Sequence, residues 1–352
     1  MTKEQHINYD VVIVGAGPSG ISTAISLKKL GIKDILVIDK SEFPRYKCCA
    51  GYITNKTRLA YEQFGLDISK INYSLIDDFK IIYKHKAKQT IKNKFLYTNA
   101  SIDRVELDYN FFKLLKKNKI KTMEKTTIKE LNREDNYLIL SNSQKVEYNY
   151  LVFADGTSGY GSSINPAKNK NIAMQAIVKS DLEDGINIHF GITKHGYAWI
   201  STFNNLTNVG ITDIFDKNIA YNDILIDLAK NYSLNVTSKD IRGAFTPIGV
   251  VEPILDNIYF VGDAVGACDP LTLSGLRYGL KSGKVCAEAI SNNNPKIYSK
   301  YIKELKFKFN IMSFIQKVFY LKFIQGLVFN VICVIFKPLV SFIFNHFFVN
   351  KK

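Results

Sequence analysis

An α/β fold is predicted for this 352-residue chain by three observations. An apolar strand, Asp10-Val11-Val12-Ile13-Val14, runs straight into Gly15-Ala16-Gly17-Pro18-Ser19-Gly20. A second apolar run, Ile35-Leu36-Val37-Ile38, ends on Asp39, nineteen residues after Gly20. Far downstream, Phe260-Val261-Gly262-Asp263 again closes an apolar strand with a glycine and an acid. Strand, glycine turn, helix, strand and acid in this order describe a Rossmann-like nucleotide-binding unit. A nucleotide domain that returns after an inserted segment explains the distance between the two halves of the pattern.

The elements follow in order. Residues 10–39 read as a βαβ unit, 52–66 as a helix and 77–98 as short strands around a Lys-rich turn. Leu107, Phe111, Leu114 and Leu115 share one face of an amphipathic helix running to Lys117. Strands are expected near 126–131, 136–141 and 144–147, then at Tyr150–Ala154. Residues 171–213 read as antiparallel strands and 221–231 as a helix. Strand Ile258–Val261 is followed by a helix from about Gly275 to Ile290. The expected nucleotide-binding domain thus comprises 1–76, 99–165 and 250–295. A β-sheet substrate domain takes 77–98 and 166–249, and a helical, membrane-associated segment takes 296–352.

Each motif residue has a physical reason. Gly15 permits the tight turn, Gly17 lets the backbone approach a pyrophosphate, and Gly20 lets the helix pack closely on the strand. The unpaired N–H groups of the new helix face the phosphates, and Asp39 is placed to accept hydrogen bonds from a ribose. Asp263, at a later strand end, suits the ribityl hydroxyls of a flavin. Main-chain N–H groups at Gly275 and Leu276 suit its ring and favour the anionic reduced form. A nicotinamide dehydrogenase has no need of this distant Gly-Asp segment, so FAD is expected rather than NAD. A third strand-then-acid turn is Val152-Phe153-Ala154-Asp155-Gly156, and Arg104 lies just ahead of the amphipathic helix.

Taken together, these four segments resemble the FAD-binding family that includes aromatic hydroxylases, flavin halogenases and geranylgeranyl reductases, over roughly residues 8–290. The resemblance implies an FAD cofactor, with Arg104 near its phosphates and the backbone of Ile128 against adenine. Pro44-Arg45-Tyr46-Lys47-Cys48-Cys49-Ala50-Gly51 is similar to the P-R-x-K-x-C-G-G signature of the geranylgeranyl reductases, with Ala50 in place of the first Gly. Gly196-Tyr197-Ala198-Trp199 is similar to their Y-x-W-x-F-P motif, with Ser201 and Thr202 in place of Phe and Pro. Gly210 survives from a later G-x-G, and Thr212 replaces its second Gly. The halogenase motif W-x-W-x-I-P needs two tryptophans, and this chain has one.

The cofactor-binding set expected from motif and resemblance is Gly15, Ala16, Gly17, Ser19, Gly20, Asp39, Lys40, Arg45, Cys49, Ala50, Arg104, Ile128, Asp155, Asp263, Gly275 and Leu276. Cys49, Tyr197 and Trp199 are the expected catalytic residues. Aromatic side chains at i and i+2 of a strand share a face, so Tyr197 and Trp199 suit the wall of an apolar tunnel; the alternative is an aromatic pair in a sheet core. For the cysteine pair the alternative is two small buried side chains.

Composition bounds the partners. The net charge is +15, with 41 of the 47 basic residues Lys. They are spread along the chain and form no nucleic-acid motif, so no nucleic acid is expected, and an anionic membrane surface suits the surplus better. The five cysteines have no metal-ligand spacing, so no metal is expected. The polar start lacks the apolar core of a signal peptide, which suits a cytoplasmic protein. Phe323–Phe336 and Pro338–Asn350 are uncharged runs interrupted by Lys337, each shorter than the roughly 18–20 residues a spanning helix needs. Lys337-Pro338 breaks a single helix across both. Interfacial helices with Lys reaching for headgroups are expected, which places the chain peripherally on the inner face of the cell membrane.

The expected activity is FAD-dependent reduction of C=C bonds in an isoprenoid lipid, with electrons from NAD(P)H or a protein carrier such as ferredoxin. A monooxygenase, a non-catalytic prenyl-lipid carrier of the same fold and, more distantly, a redox-neutral cyclase are the alternatives.

Overall fold

The computed structural model describes residues 7–76, 78–92 and 99–332. The first part of the chain runs β1 (Ile7–Val14), α1 (Pro18–Lys29), β2 (Ile35–Ile38), β3 (Tyr52–Ile53), α2 (Asn55–Glu62), β4 (Tyr73–Ile76), β5 (Asp78–Tyr83), β6 (Lys86–Lys92) and β7 (Asn99–Ile102). Next come α3 (Arg104–Lys117), β8 (Lys121–Met123), β9 (Ile128–Asn132), β10 (Tyr137–Leu140), β11 (Lys145–Phe153), α4 (Tyr160–Ile164), β12 (Asn169–Lys179) and β13 (Gly185–Phe190). The last part is β14 (Ala198–Phe203), β15 (Leu206–Ile214), α5 (Tyr221–Lys230), β16 (Arg242–Ile248), β17 (Ile254–Leu255), β18 (Ile258–Phe260), α6 (Leu276–Ser291), α7 (Pro295–Phe319) and α8 (Lys322–Leu327).

The first sheet has the order β17-β18-β11-β1-β2-β8, with the β9–β10 hairpin attached to β11. Strands β18, β11, β1, β2 and β8 are parallel. Val11, Val12, Ile13, Leu36, Val37, Leu151 and Val152 are all buried, the continuous apolar character of strands covered on both faces. Helix α1 packs against α6 through small residues. A Cβ on Gly283 would lie 2.3 Å from Ser22 Oγ, and one on Gly279 would lie 3.7 Å from Ser19 Cβ. The second sheet, β16-β12-β15-β14-β13-β5-β6, carries α5 on one face. A short third sheet joins β3, β7 and β4.

Local signals explain most boundaries, and tertiary pairing shifts others. The helix expected over 52–66 is only Asn55–Glu62, because Tyr52 and Ile53 pair with Ser101 and Ala100. Thr54 then caps the helix by accepting from the N–H of Thr57. Arg104, expected ahead of its helix, is the first residue of α3, with Asp103 as its cap. The two strands expected at 144–147 and 150–154 are one, β11. Among the described residues no single helix is long and apolar enough to cross a membrane, and α7 with Lys322–Asn330 passes that test only as a pair bent by 78°. Residues 333–352, with the expected break at Lys337-Pro338, lie outside the described residues.

Candidate functional site

Parallel register puts four expected segments on one edge of the first sheet. Val14 pairs with Ile38 and Phe153, and Phe153 pairs with Phe260. The residues that follow, Gly15, Asp39, Asp155 and Asp263, therefore line the carboxyl edge of the strands, where open α/β sheets bind ligands.

The glycine turn is built as its sequence predicts, with one change of emphasis. Gly15 has φ +106°, and a Cβ there would lie 2.5 Å from Ala154 O. A Cβ on Gly20 would lie 1.9 Å from Gly15 O, so Gly20 serves the turn itself as much as helix packing. At Gly17, by contrast, a Cβ would meet only Arg45 Nη2, at 3.6 Å. The space over Gly17 is open and faces a cation. Ser19 stands in the first turn of α1 against Gly262.

Asp39 is buried, and both carboxylate oxygens are held: Ala16 N–H donates to one at 2.7 Å and Ser41 N–H to the other at 2.8 Å. Thr126 N–H donates to the Asp39 carbonyl at 2.9 Å, which brings the half-buried Ile128 at the start of β9 towards the same end of the site. Lys40 is exposed, and its charge acts on Asp155.

Asp155 takes a hydrogen bond from Gly161 N–H at 2.8 Å on Oδ2, while its buried Oδ1 has no partner. Burial raises its pKa to about 6 against the pull of those N–H groups and of Lys40. A carboxylate oxygen orphaned in this way is an acceptor without its donor. Gly275 caps α6, and a Cβ there would lie 3.0 Å from Asp263 Oδ1. Leu276 begins the helix, so the free N–H groups of α6 open beside that acid.

Sequence reasoning missed the carboxylate that gathers the cations beside Gly17. Buried Arg104 makes a two-pronged pair with Asp108, Nε to Oδ1 at 3.0 Å and Nη2 to Oδ2 at 2.9 Å. Arg45 approaches the same Oδ2 at 3.5 Å. Its guanidinium also sits 4.9 Å over the Phe43 ring, which stacks on Phe112 at 4.1 Å. Two guanidiniums share one carboxylate, leaving a net positive charge beside Gly17. The only signal was the i, i+4 spacing of Arg104 and Asp108.

The Tyr/Trp pair faces these loops from the second sheet. The Tyr197 and Trp199 rings are 6.2 Å apart. Tyr197 OH donates to Thr272 O at 2.8 Å, in the turn before α6. Trp199 Nε1 donates to Asn208 Oδ1 at 3.0 Å, and Asn208 Nδ2 donates to Cys49 O at 3.0 Å. Each aromatic tip is thus tied to a different loop of the first sheet, and Asn208 is a second residue missed. Gly210 lies opposite Trp199, and a Cβ there would come within 2.1 Å of the indole.

Cys49 and Ala50 are half-buried in the loop that ends at Gly51, φ +77°. Cys48 instead turns its thiol to the carbonyls of Ala173 and Arg242, each at 3.9 Å. Burial first, and the neighbouring Cys49, push its pKa up to about 11. Cys48 is thereby an inert packing thiol at neutral pH. Burial likewise raises the Tyr197 hydroxyl, which keeps its proton and its bond to Thr272.

Among the described residues no group of His, Cys, Asp and Glu could hold a metal ion. A surface cavity of about 290 Å3 lined by Asp10, Lys33 and Tyr150 lies at the opposite end of β1 and touches none of the site. The open space over Gly17, the half-compensated Arg pair and the orphaned Asp155 oxygen together fit a dinucleotide with a pyrophosphate and polar sugar groups.

Comparison with known proteins agrees. The family described as pyridine nucleotide-disulphide oxidoreductase matches residues 9–183. An uncharacterized protein of Methanosarcina barkeri is 30% identical over 342 residues, covering 90% of this chain and 84% of that protein. A digeranylgeranylglycerophospholipid reductase of Methanococcus vannielii is 28% identical over 326 residues, covering 82% and 79%. The solved structure of a geranylgeranyl bacteriochlorophyll reductase-like protein from Thermoplasma acidophilum superimposes with a TM-score of 0.77 at 20% identity, covering 90% and 88%. Fold and site define an FAD-dependent oxidoreductase. Within that class the chain belongs to the geranylgeranyl reductase family.

Proposed function

We propose that this protein reduces carbon–carbon double bonds of an isoprenoid lipid carrying geranylgeranyl or longer polyprenyl chains. The observation that carries the reading is the pair Tyr197 and Trp199, an aromatic wall whose polar tips are fixed to the Thr272 turn and, through Asn208, to the Cys49 loop. With its hydrogen-bonding atoms so occupied, the wall offers ring faces only, Trp199 itself being 5% exposed. It continues through Phe190, 6.1 Å from Tyr197, to Phe329, 5.0 Å from Phe190. An extended hydrocarbon matches such ring faces.

In this reading Gly15, Ala16, Gly17, Ser19, Gly20, Arg45 and Arg104 hold the pyrophosphate end of FAD. Asp39, Lys40, Ile128 and Asp155 hold its adenosine end, and Asp263, Gly275, Leu276, Cys49 and Ala50 surround the flavin end. When bound and reduced, FAD supplies a hydride. The chain's own residues position one alkene carbon to receive it and keep water away, since an isolated alkene is a poor acceptor and orientation must supply much of the rate. A proton reaches the other carbon; Cys49, whose carbonyl is tied to the Trp199 wall through Asn208, is our candidate to deliver it. Residues 78–92 and 166–249 form the substrate domain in this scheme, 77 and 93–98 of the expected span lying outside the described residues. NAD(P)H or a carrier such as ferredoxin restores the two electrons, and the protein works in the cytoplasm.

The test is anaerobic turnover of a geranylgeranyl lipid with chemically reduced enzyme. A gain of two hydrogens per reacted bond by mass spectrometry is expected. Strict dependence on oxygen with an oxygenated product would make the protein a monooxygenase. Tight lipid binding with no conversion under either gas would make it a carrier.

A further inference from the structure

The face of α7 turned away from the protein is apolar. Phe307, Ile311, Phe314 and Val318, spaced by four, three and four residues, share one side of the helix and are all exposed, Phe307 by 70% and Phe314 by 67%. The opposite side, Tyr298, Ile302, Leu305 and Phe309, is buried against the first sheet and α6. Past the elbow, Phe323 is 79% exposed. A soluble surface helix has the reverse arrangement, with polar residues outward.

Charge flanks this stripe. Helix α7 carries six Lys and one Glu, and Lys303, Lys306 and Lys317 are exposed in the row beside the stripe. Lys322 is exposed at the elbow itself. Phenylalanines on one line with lysines along its shoulder are the pattern of a helix lying in the plane of a bilayer interface, its lysines reaching acidic headgroups. The far side of α7 is packed on protein, and α7 alone is not long and apolar enough to cross a bilayer.

The elbow also leads inward. Phe319, at the end of α7, packs edge-on against Phe190 at 5.7 Å and against Phe329 at 5.7 Å. A seam too narrow to admit a water molecule runs between Tyr197 and Leu273 on one side and Gln316 and Tyr320, of the same helix and its cap, on the other. One end of the exposed stripe thus adjoins the aromatic wall.

We propose that the outward face of α7 and the α7–α8 elbow dock in-plane on an anionic bilayer, and that a lipid chain passes at the elbow to the Tyr197 wall. The docking stands on the surface alone; the passage rests on the lipid-substrate reading. The experiment is flotation of the FAD-loaded full chain with vesicles of phosphatidylcholine, alone or mixed with phosphatidylglycerol. Binding to the mixed vesicles is expected, weakened at high salt. A Phe314→Ser, Phe323→Ser double variant should lose at least roughly tenfold of the bound fraction at every salt concentration. A Lys303→Gln, Lys306→Gln, Lys317→Gln variant should lose only the preference for phosphatidylglycerol.

All variants should keep the flavin spectrum and reduce a detergent-dispersed short prenyl substrate at the wild-type rate. They should fall behind only on vesicle-embedded lipid. Wild-type protein that stays with the unbound fraction overturns the docking, as does a Phe variant that floats unchanged. A wild-type dimer that the Phe substitutions split would instead assign the face to self-association. Vesicle binding with no turnover of either substrate leaves the docking standing and overturns the function.

Discussion

The two faces of the site are built from different materials. The nucleotide edge uses small residues and buried charge: Gly15 against Ala154, Gly20 against the Gly15 carbonyl, and Arg45, Asp108 and Arg104 in one cluster. The sheet face uses aromatic rings whose polar tips are tied to loops, with Asn208 as the connector. A phosphate needs fixed N–H groups and a positive charge, so little substitution is tolerated there. A hydrocarbon needs volume and dryness, which many side chains provide. This chain accordingly keeps the glycine fingerprint intact and departs from the reductase pattern on the sheet face at Ser201, Thr202 and Thr212, while Ala50 is a departure on the cofactor side.

The largest effect that should sharpen this contrast is Asp108→Ala. It leaves Arg104 buried and Arg45 beside it without their shared carboxylate. Breaking a buried pair in this way costs about 3–5 kcal/mol. Urea unfolding of the FAD-free protein should show that loss. Saturating FAD should recover part of it, because phosphate replaces the missing negative charge. Equal losses with and without FAD would remove the cluster from the cofactor site.

A smaller effect is expected on the sheet face from Gly210→Ala. The added methyl would lie 2.1 Å from the Trp199 indole, so the ring must move. Overpacking of this kind costs about 1–3 kcal/mol. Turnover should fall while FAD affinity, followed by flavin fluorescence, stays near wild type. A parallel fall in FAD affinity would mean the two faces are one mechanical unit and would break the comparison.

The same contrast decides what was legible in the sequence. Gly15, Gly17, Gly20, Asp39 and Asp263 announce themselves because their constraints are local: a positive φ, an open approach, or a strand that must end. The parallel strands read easily as continuous apolar runs. Asn208 was silent because its role exists only across a long separation, 159 residues from Cys49; Asp108 showed only its i, i+4 spacing to Arg104, and nothing local reveals that Arg45 shares it. Tyr52 and Ile53 were read as helix because nothing nearby reveals their pairing with β7. Trp199 was found, but its hydrogen bond, which fixes the ring, was not.

Two buried titratable groups, one on each side, give the smallest effect in the wild type and the finest test. Burial raises the Asp155 pKa to about 6, above its unfolded value, so the folded state binds that proton more tightly. Its contribution is therefore fully present below the unfolded value of 3.8 and is lost as pH rises through about 6. His189 is the reverse. Buried on β13, with Nε2 at 2.9 Å from Tyr232 OH and Nδ1 without a partner, its pKa is lowered from 6.5 to about 4. Its contribution is present above 6.5 and lost as pH falls towards 4. The two slopes oppose each other over the same interval and largely cancel. Removing either should expose the other: between pH 4.5 and 6.5, by urea unfolding of FAD-free protein, Asp155→Asn should gain on the wild type as pH rises, by roughly 1–3 kcal/mol. His189→Gln should gain on it as pH falls, by a similar amount. If Asp155→Asn tracks the wild type at both pH values, the acid at the end of β11 is already solvated or partnered, and the orphaned oxygen ceases to argue for a ligand.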